Sequence, residues 1–262
     1  MLNLRDGREV VLRQPFDTEW EQVGQHFELL DALRETRVPA PEPLGVDTAG
    51  EQAGRPSLLM SLLPGEPRVQ VPPMDAWLRS LARTAARIHE TPVAHVSFLP
   101  ARRERLEAGI ARGPEDSLTG ADLEVWHLVA EDPSILDTGP NGLVHRDYWS
   151  GNTLRVESEV TGVVDWAGAC LGPPEVDAAE CAFDLVIAHG PEVGERFLNL
   201  WSELTGRDAV LARRWWLVTL INSVNLDEWL PAYPHLGLAV DAATAWKRRD
   251  WLRDKALQAA RG

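Results

Sequence analysis

The run Leu143-Val144-His145-Arg146-Asp147-Tyr148-Trp149-Ser150-Gly151-Asn152 constrains this chain more than any other segment, because two β-prone stretches come directly after it. These stretches, Thr153 to Val156 and Val160 to Val164, are separated by polar residues and can pair as a hairpin. Asn152 stands before the first stretch and Asp165 after the second, so pairing brings their side chains near one another and near Asp147. Two carboxylates and an amide oxygen then share one small region, which requires a compact β segment rather than a continuous helix.

The rest of the chain fits around that segment. Val10-Val11-Leu12 comes after the turn signal Asp6-Gly7 and predicts a strand with Arg13 near its end. From Thr18, an N-cap residue type, to about Arg37, the residues Trp20, Val23, Phe27, Leu30 and Leu33 recur at helical spacing. Val38-Pro39-Ala40-Pro41-Glu42-Pro43 stops that helix, and Leu44 to Val46 and Ser57 to Leu62 predict two more strands. After Leu63-Pro64-Gly65-Glu66-Pro67 the pattern becomes helical at about 73–91, 101–112 and 121–131, and four or so helices close the chain after the hairpin. The expected class is α+β, with a small N-terminal part over residues 1–65 and a larger helical part over 66–262. No repeat and no low-complexity tract interrupts it.

Composition removes several function classes. A net charge of -14 opposes nucleic acid, whose phosphates need a basic face, and disfavours anionic membranes. The longest apolar stretch, Trp215 to Ile221, is far too short to cross a bilayer. The N-terminal residues carry no secretory signal, and Cys170 and Cys181 read as buried free thiols, so a cytoplasmic location is expected. There is no G-x-x-x-x-G-K-[ST], no G-x-S-x-G and no paired histidine spacing, which leaves out three common catalytic designs.

His145, Arg146, Asp147 and Asn152 match H-R-D-x-x-x-x-N, the kinase catalytic loop, in order and spacing. Phosphoryl transfer needs a carboxylate to take the proton of the attacking hydroxyl, and oxygen ligands to hold Mg²⁺ against the nucleotide phosphates. Asp147, Asn152 and Asp165 supply them. The block from Leu143 to Asp184, with Val163-Val164-Asp165-Trp166 and Gly172-Pro173-Pro174-Glu175-Val176-Asp177-Ala178-Ala179, resembles the aminoglycoside phosphotransferase and choline kinase family. Arg13, Val38-Pro39-Ala40-Pro41, Leu59 to Gly65 and Leu81 to His89 resemble further landmarks of that family, so the likeness spans about residues 8–190.

The resemblance implies a bilobal protein-kinase-like fold with a truncated N-terminal β-lobe and a large helical C-terminal lobe. It implies ATP (or GTP) and Mg²⁺ as cofactors, with the backbone of Ser61, Leu62 and Leu63 against the base. Asp147 would be the catalytic base, Asn152 and Asp165 the metal ligands, and His145 and Asp177 the supports of the loop. The acceptor would be a small-molecule hydroxyl compound. Asp227, Glu228 and Trp229, an acidic pair beside an aromatic, are candidates to contact it and would suit a cationic molecule; they read equally as an ordinary helix end. The sequence carries no signal for an oligomeric state.

Two positions depart from the family pattern. Lys247 and Lys255 are the only lysines, so the strand that should end in a phosphate-holding lysine ends in Arg13, whose planar fork is not equivalent to an ammonium. Aligning Leu33 and Val38-Pro39 places His26 where a glutamate is usual. In addition, about eleven residues precede Leu12 and none forms a glycine loop of the G-x-G-x-x-G kind. Three readings accommodate this: a start placed too far downstream, a shortened but active lobe, or a non-catalytic nucleotide- or ligand-binding protein of the same fold. Retention of Asp147, Asn152 and Asp165 together favours activity.

Overall fold

The computed structural model describes residues 2–4, 7–15, 23–70, 73–137 and 139–261. Strand β1 (Leu2–Asn3) and β2 (Glu9–Arg13) pair antiparallel; β1 is a strand the sequence pattern does not predict. Gly7 N donates to Leu4 O (3.0 Å), and the left-handed φ of +84° at Gly7 closes that turn without a Cβ penalty. Helix α1 (Val23–Leu33) comes next, then β3 (Pro43–Asp47) and β4 (Ser57–Ser61), giving a sheet of order β1-β2-β4-β3 with antiparallel neighbours. Leu29, Leu30 and Leu33 of α1 are buried in one core with Leu58 and Met60 of β4.

Thr18 and Trp20, expected at the start of this helix, lie outside the described residues. Its end comes at Leu33 rather than near Arg37, because the Thr36 N–H (3.0 Å) and hydroxyl (2.7 Å) both bond to the Leu33 carbonyl. The same hydroxyl accepts the Val38 N–H (3.2 Å), so one side chain satisfies both sides of the break.

The large part comprises α2 (Met74–His89), α3 (Arg102–Arg112), α4 (Gly120–Glu131), β5 (Gly142–Val144), β6 (Thr153–Val156), β7 (Glu159–Val163), β8 (Cys170–Gly172), α5 (Glu175–His189), α6 (Pro191–Thr205), α7 (Ala209–Asn222), α8 (Leu226–Trp229) and α9 (Ala242–Arg261). The expected hairpin forms: β6 and β7 pair antiparallel from Thr153↔Val163 to Val156↔Glu159. Strand β8 is a second addition, since Cys170-Leu171-Gly172 has no alternation and is a strand only by pairing with Gly142–Val144. Helix α5 is the centre of the core. It is buried over nearly its whole circumference and packs against α6, α7 and α9, so apolar residues fall on every side of it and its acids Glu175, Asp177 and Asp184 are themselves buried. Among the described residues no helix is long and apolar enough to cross a membrane.

The segment between the sheet and α2 is stitched to the hairpin. Glu66 and Arg155 exchange backbone hydrogen bonds (3.2 Å each), and the Thr161 hydroxyl donates to Pro64 O (2.6 Å). Gly65, at φ +104°, makes this approach possible, because a Cβ there would lie 2.6 Å from the Arg155 carbonyl oxygen. The Val163 N–H also donates to Pro39 O (2.7 Å), so the hairpin holds residues from both sides of the sheet.

Candidate active site

Strand β5 delivers the chain, fully buried, to His145, and α5 fixes the loop that begins there. Asp177, in the first turn of α5 and itself fully buried, accepts the His145 N–H (2.9 Å) on one oxygen and the Arg146 N–H (2.8 Å) on the other. His89 Nε2, at the end of α2, makes a third bond to it (3.0 Å). A helix N-terminus favours a carboxylate, and this one satisfies two backbone donors that would otherwise be stranded in the core. His145 is also fully buried; its Nε2 donates to Val164 O (2.9 Å) and its ring lies edge-on to Trp166 at 4.6 Å. Ser150 donates its hydroxyl (2.6 Å) and N–H (3.3 Å) to buried Asp184, which also accepts the Tyr233 hydroxyl (2.7 Å). The loop is thereby pinned at 145, 146 and 150, and the left-handed backbone of Arg146 (φ 68°) is held by its surroundings.

Asp147 projects from this frame and is exposed. Asn152 donates its amide to both the Asp147 carbonyl (2.9 Å) and carboxylate (2.7 Å). The protein packed around the Asp147 carboxyl raises its pKa from the ordinary value, and the Asp165 charge adds to that rise; His145, the Asn152 bond and Arg146 oppose it. Asp165 takes a left-handed conformation (φ 66°) at the end of the hairpin and pairs with Arg13 at 2.9 Å. Arg13 therefore reaches across from the small sheet to the turn after β7, where Asp165 is a carboxylate partner. His26 is buried in α1.

Ser61 uses its hydroxyl to accept the Glu42 N–H (2.9 Å), pinning β4 to the approach of β3. Leu62 is exposed, and Leu63 lies against Gly162 of β7, so the two run along the seam between sheet and hairpin. Asp227, Glu228 and Trp229 sit on α8, where Asp227 accepts the Trp246 indole N–H (3.0 Å) and Trp229 is exposed. That bond ties α8 to α9 rather than to the Asp147 loop. His89, which no local pattern marks as a support, joins the loop because α2 and α5 meet 88 residues apart in sequence.

Glu180, one turn after Asp177, is pushed up to about 8, first by burial and then by the charges of Asp177 and Asp147. A carboxyl with a folded pKa of about 8 against an ordinary 4.5 binds its proton more tightly in the folded chain. Its contribution to stability is complete below the unfolded value and disappears as pH rises through about 8. Glu180→Gln is expected to remove that loss, so its Tm should decline less between pH 6 and 9 than that of the unaltered protein; parallel Tm–pH curves would contradict the assignment.

A family model described as "Phosphotransferase enzyme family" matches residues 2–213. Homoserine kinase of Afipia carboxidovorans is 30% identical over 163 residues, 58% of this chain and 49% of that protein. Homoserine kinase of Methylobacillus flagellatus is 28% identical over 167 residues, 57% of this chain and 48% of that protein. The chain thus spans about half the length of the curated relatives it matches. Among solved structures, a macrolide 2'-phosphotransferase from Brachybacterium faecium superposes with a TM-score of 0.62 at 21% identity, covering 95% of this chain and 86% of the other. A putative aminoglycoside phosphotransferase from Ralstonia eutropha gives 0.65 at 18% identity over 97% and 87%. These likenesses show the bilobal kinase-like fold with its helical C-terminal lobe. The family match takes in both the four-stranded sheet and the loop bearing Asp147, and on it the chain belongs to the phosphotransferase enzyme family.

Proposed function

We propose that this protein transfers the γ-phosphoryl group of ATP to a hydroxyl of a small molecule. The observation that carries the reading is the meeting of Asp147, Asn152, Asp165 and Arg13 at one place, from three different stretches of backbone. Asp147 takes the proton of the acceptor hydroxyl as the acceptor oxygen forms its bond to phosphorus, the β–γ bridging bond breaks, and ADP leaves.

The donor set fits magnesium. Asn152 engages Asp147 through its amide nitrogen, which leaves its Oδ1 to face a cation, and Asp165 supplies a carboxylate beside it. An all-oxygen set with one carboxylate suits a hard ion that keeps water and phosphate ligands. Bound there, Mg²⁺ would neutralise charge on the phosphates. Arg13 offers a fork that matches phosphate oxygens and exchanges its Asp165 partner for them or shares both. Arg13→Ala is expected to raise the KM for ATP by roughly tenfold, the scale of one charge-assisted hydrogen bond, with a smaller effect on kcat. An unchanged KM would place Arg13 outside the nucleotide site.

The relatives named homoserine kinase and the neighbours named as macrolide and aminoglycoside phosphotransferases support a small-molecule acceptor. ADP release measured with a panel of hydroxyl compounds, and mass detection of the phosphorylated product, tests the reading. Binding of Mg-ATP with no ATP-dependent product from any acceptor would overturn it.

A further inference from the structure

A cavity of about 660 Å³ lies between α1, α3, α4 and α7, and its wall includes Arg146 of the Asp147 loop and Trp166, Ala167 and Gly168 of the turn after Asp165. It therefore adjoins both ends of the catalytic constellation by a single residue in the chain. One part of the wall is apolar, with Leu106, Ile110, Val129, Val218 and Ile221. The charged part is Arg102, Arg105, Arg112 and Arg146, and no described lining residue is acidic. In a chain of net charge -14 this is a local inversion.

No carboxylate of the cavity wall pairs with these arginines. Arg102 is 8% exposed, and its buried Nε has no hydrogen-bond partner. Its stem packs against Gly172 and its guanidinium stands over the Trp215 ring at 5.6 Å, so the head is positioned without being paired. Arg105 gives one N–H to Gly168 O (3.1 Å), which ties α3 to the turn after Asp165 and leaves the rest of its fork unused. The three cations line one cavity, and burial, with the Arg146 charge adding to it, pushes both Arg102 and Arg105 down. The acids nearest them, Glu180 and Asp147, lie outside the cavity wall. Arg102 is buried and Arg105 and Arg146 are half-buried beside it, and cations gathered in a partly desolvated pocket with no acid in its wall are costly unless an anion completes them.

We propose that this cavity receives the acceptor, and that the acceptor carries an oxyanion, as carboxylate or phosphate, on a largely apolar body. The hydroxyl of that acceptor rests on the phosphotransferase reading, whereas its anion rests on Arg102, Arg105 and Arg146 alone. A polycationic acceptor is disfavoured here, and Asp227, Glu228 and Trp229 do not line the cavity.

Calorimetric titration of the full chain with benzoate, phenyl phosphate, benzylammonium and benzyl alcohol separates the possibilities. Benzoate or phenyl phosphate should bind and the other two should not; the tighter of the two anions identifies the oxyanion. Arg102→Met should weaken anion binding by roughly tenfold or more, the scale of a lost charged hydrogen bond. It should also leave Tm unchanged or higher, because an unpaired buried charge is replaced by an apolar side chain. Should that variant not fold, Ile221→Glu places a carboxylate among the arginines and should abolish the same binding. No anion binding, equal binding of the cation or alcohol, or binding indifferent to both variants would overturn the proposal. Anion binding without ATP-dependent transfer to any hydroxyl acid would sink the phosphotransferase reading and leave the anion site standing; turnover of cationic acceptors without anion binding would do the reverse.

Discussion

Asp147→Ala is expected to lower kcat by roughly 10²–10⁴-fold, the usual contribution of a general base, while the affinity for Mg-ATP stays close to its original value. The two effects separate because of how Asp147 is held. Truncation strands no donor, because the Asn152 amide that bonds the carboxylate also bonds the Asp147 carbonyl (2.9 Å), which keeps that residue in place. Tm should therefore move little. The pH profile supplies an independent reading. The base works only when ionised, and its pKa is raised from 3.8 by desolvation and the Asp165 charge, so the acid limb of kcat should fall at a higher pH than for an ordinary aspartate. That limb should vanish with the carboxylate. Turnover unaffected by the substitution would remove Asp147 from the chemistry.

Asp177→Ala should damage both stability and activity. Its two oxygens hold the His145 and Arg146 N–H groups (2.9 and 2.8 Å) together with His89 (3.0 Å), all in the buried core. Removing the shared acceptor is expected to cost on the order of 3–5 kcal/mol and to lower Tm by roughly 10 °C. Activity should fall further than the folded fraction does, because the left-handed Arg146 backbone that aims Asp147 loses its clamp. Asp177→Asn should rescue little, since an amide presents a donor where one of two backbone donors needs an acceptor. Near-normal kcat in a fully folded Asp177→Ala would show that the loop holds its shape without α5.

The candidate carboxylates are visible in the sequence for a physical reason. Asp147 and Asn152 lie in one loop of consecutive residues, and Asp165 is returned to them by a short hairpin over Thr153–Val156 and Glu159–Val163. Long amphipathic helices such as α2 are equally plain, because 3.6-residue spacing survives whatever the helix packs against. The illegible parts depend on contacts between distant segments. Strand β8 exists through its partner Gly142–Val144, on the far side of the whole hairpin. The Arg13–Asp165 pair joins β2 to the turn after β7, and the arginine cavity needs α3 to dock against that same turn. Arg102 and Arg105 look like surface charges on α3 until α7 supplies Trp215 beneath the first of them. Net charge misleads for the same reason, being a sum over the surface that is silent about a local pocket.

Cys170 and Cys181 acquire a use from where they are buried. One lies in β8, paired to the strand that enters the Asp147 loop, and the other lies in α5, four residues beyond Asp177. Burial holds the Cys170 thiol at about 11 and Cys181 well above the ordinary value, so neither is a reachable thiolate near neutrality. A thiol reagent can then react only after the surrounding structure opens. The chain carries two built-in clocks, one on each support of its loop, and the rates at which they are modified report how far a bound nucleotide stiffens each support without any label being introduced.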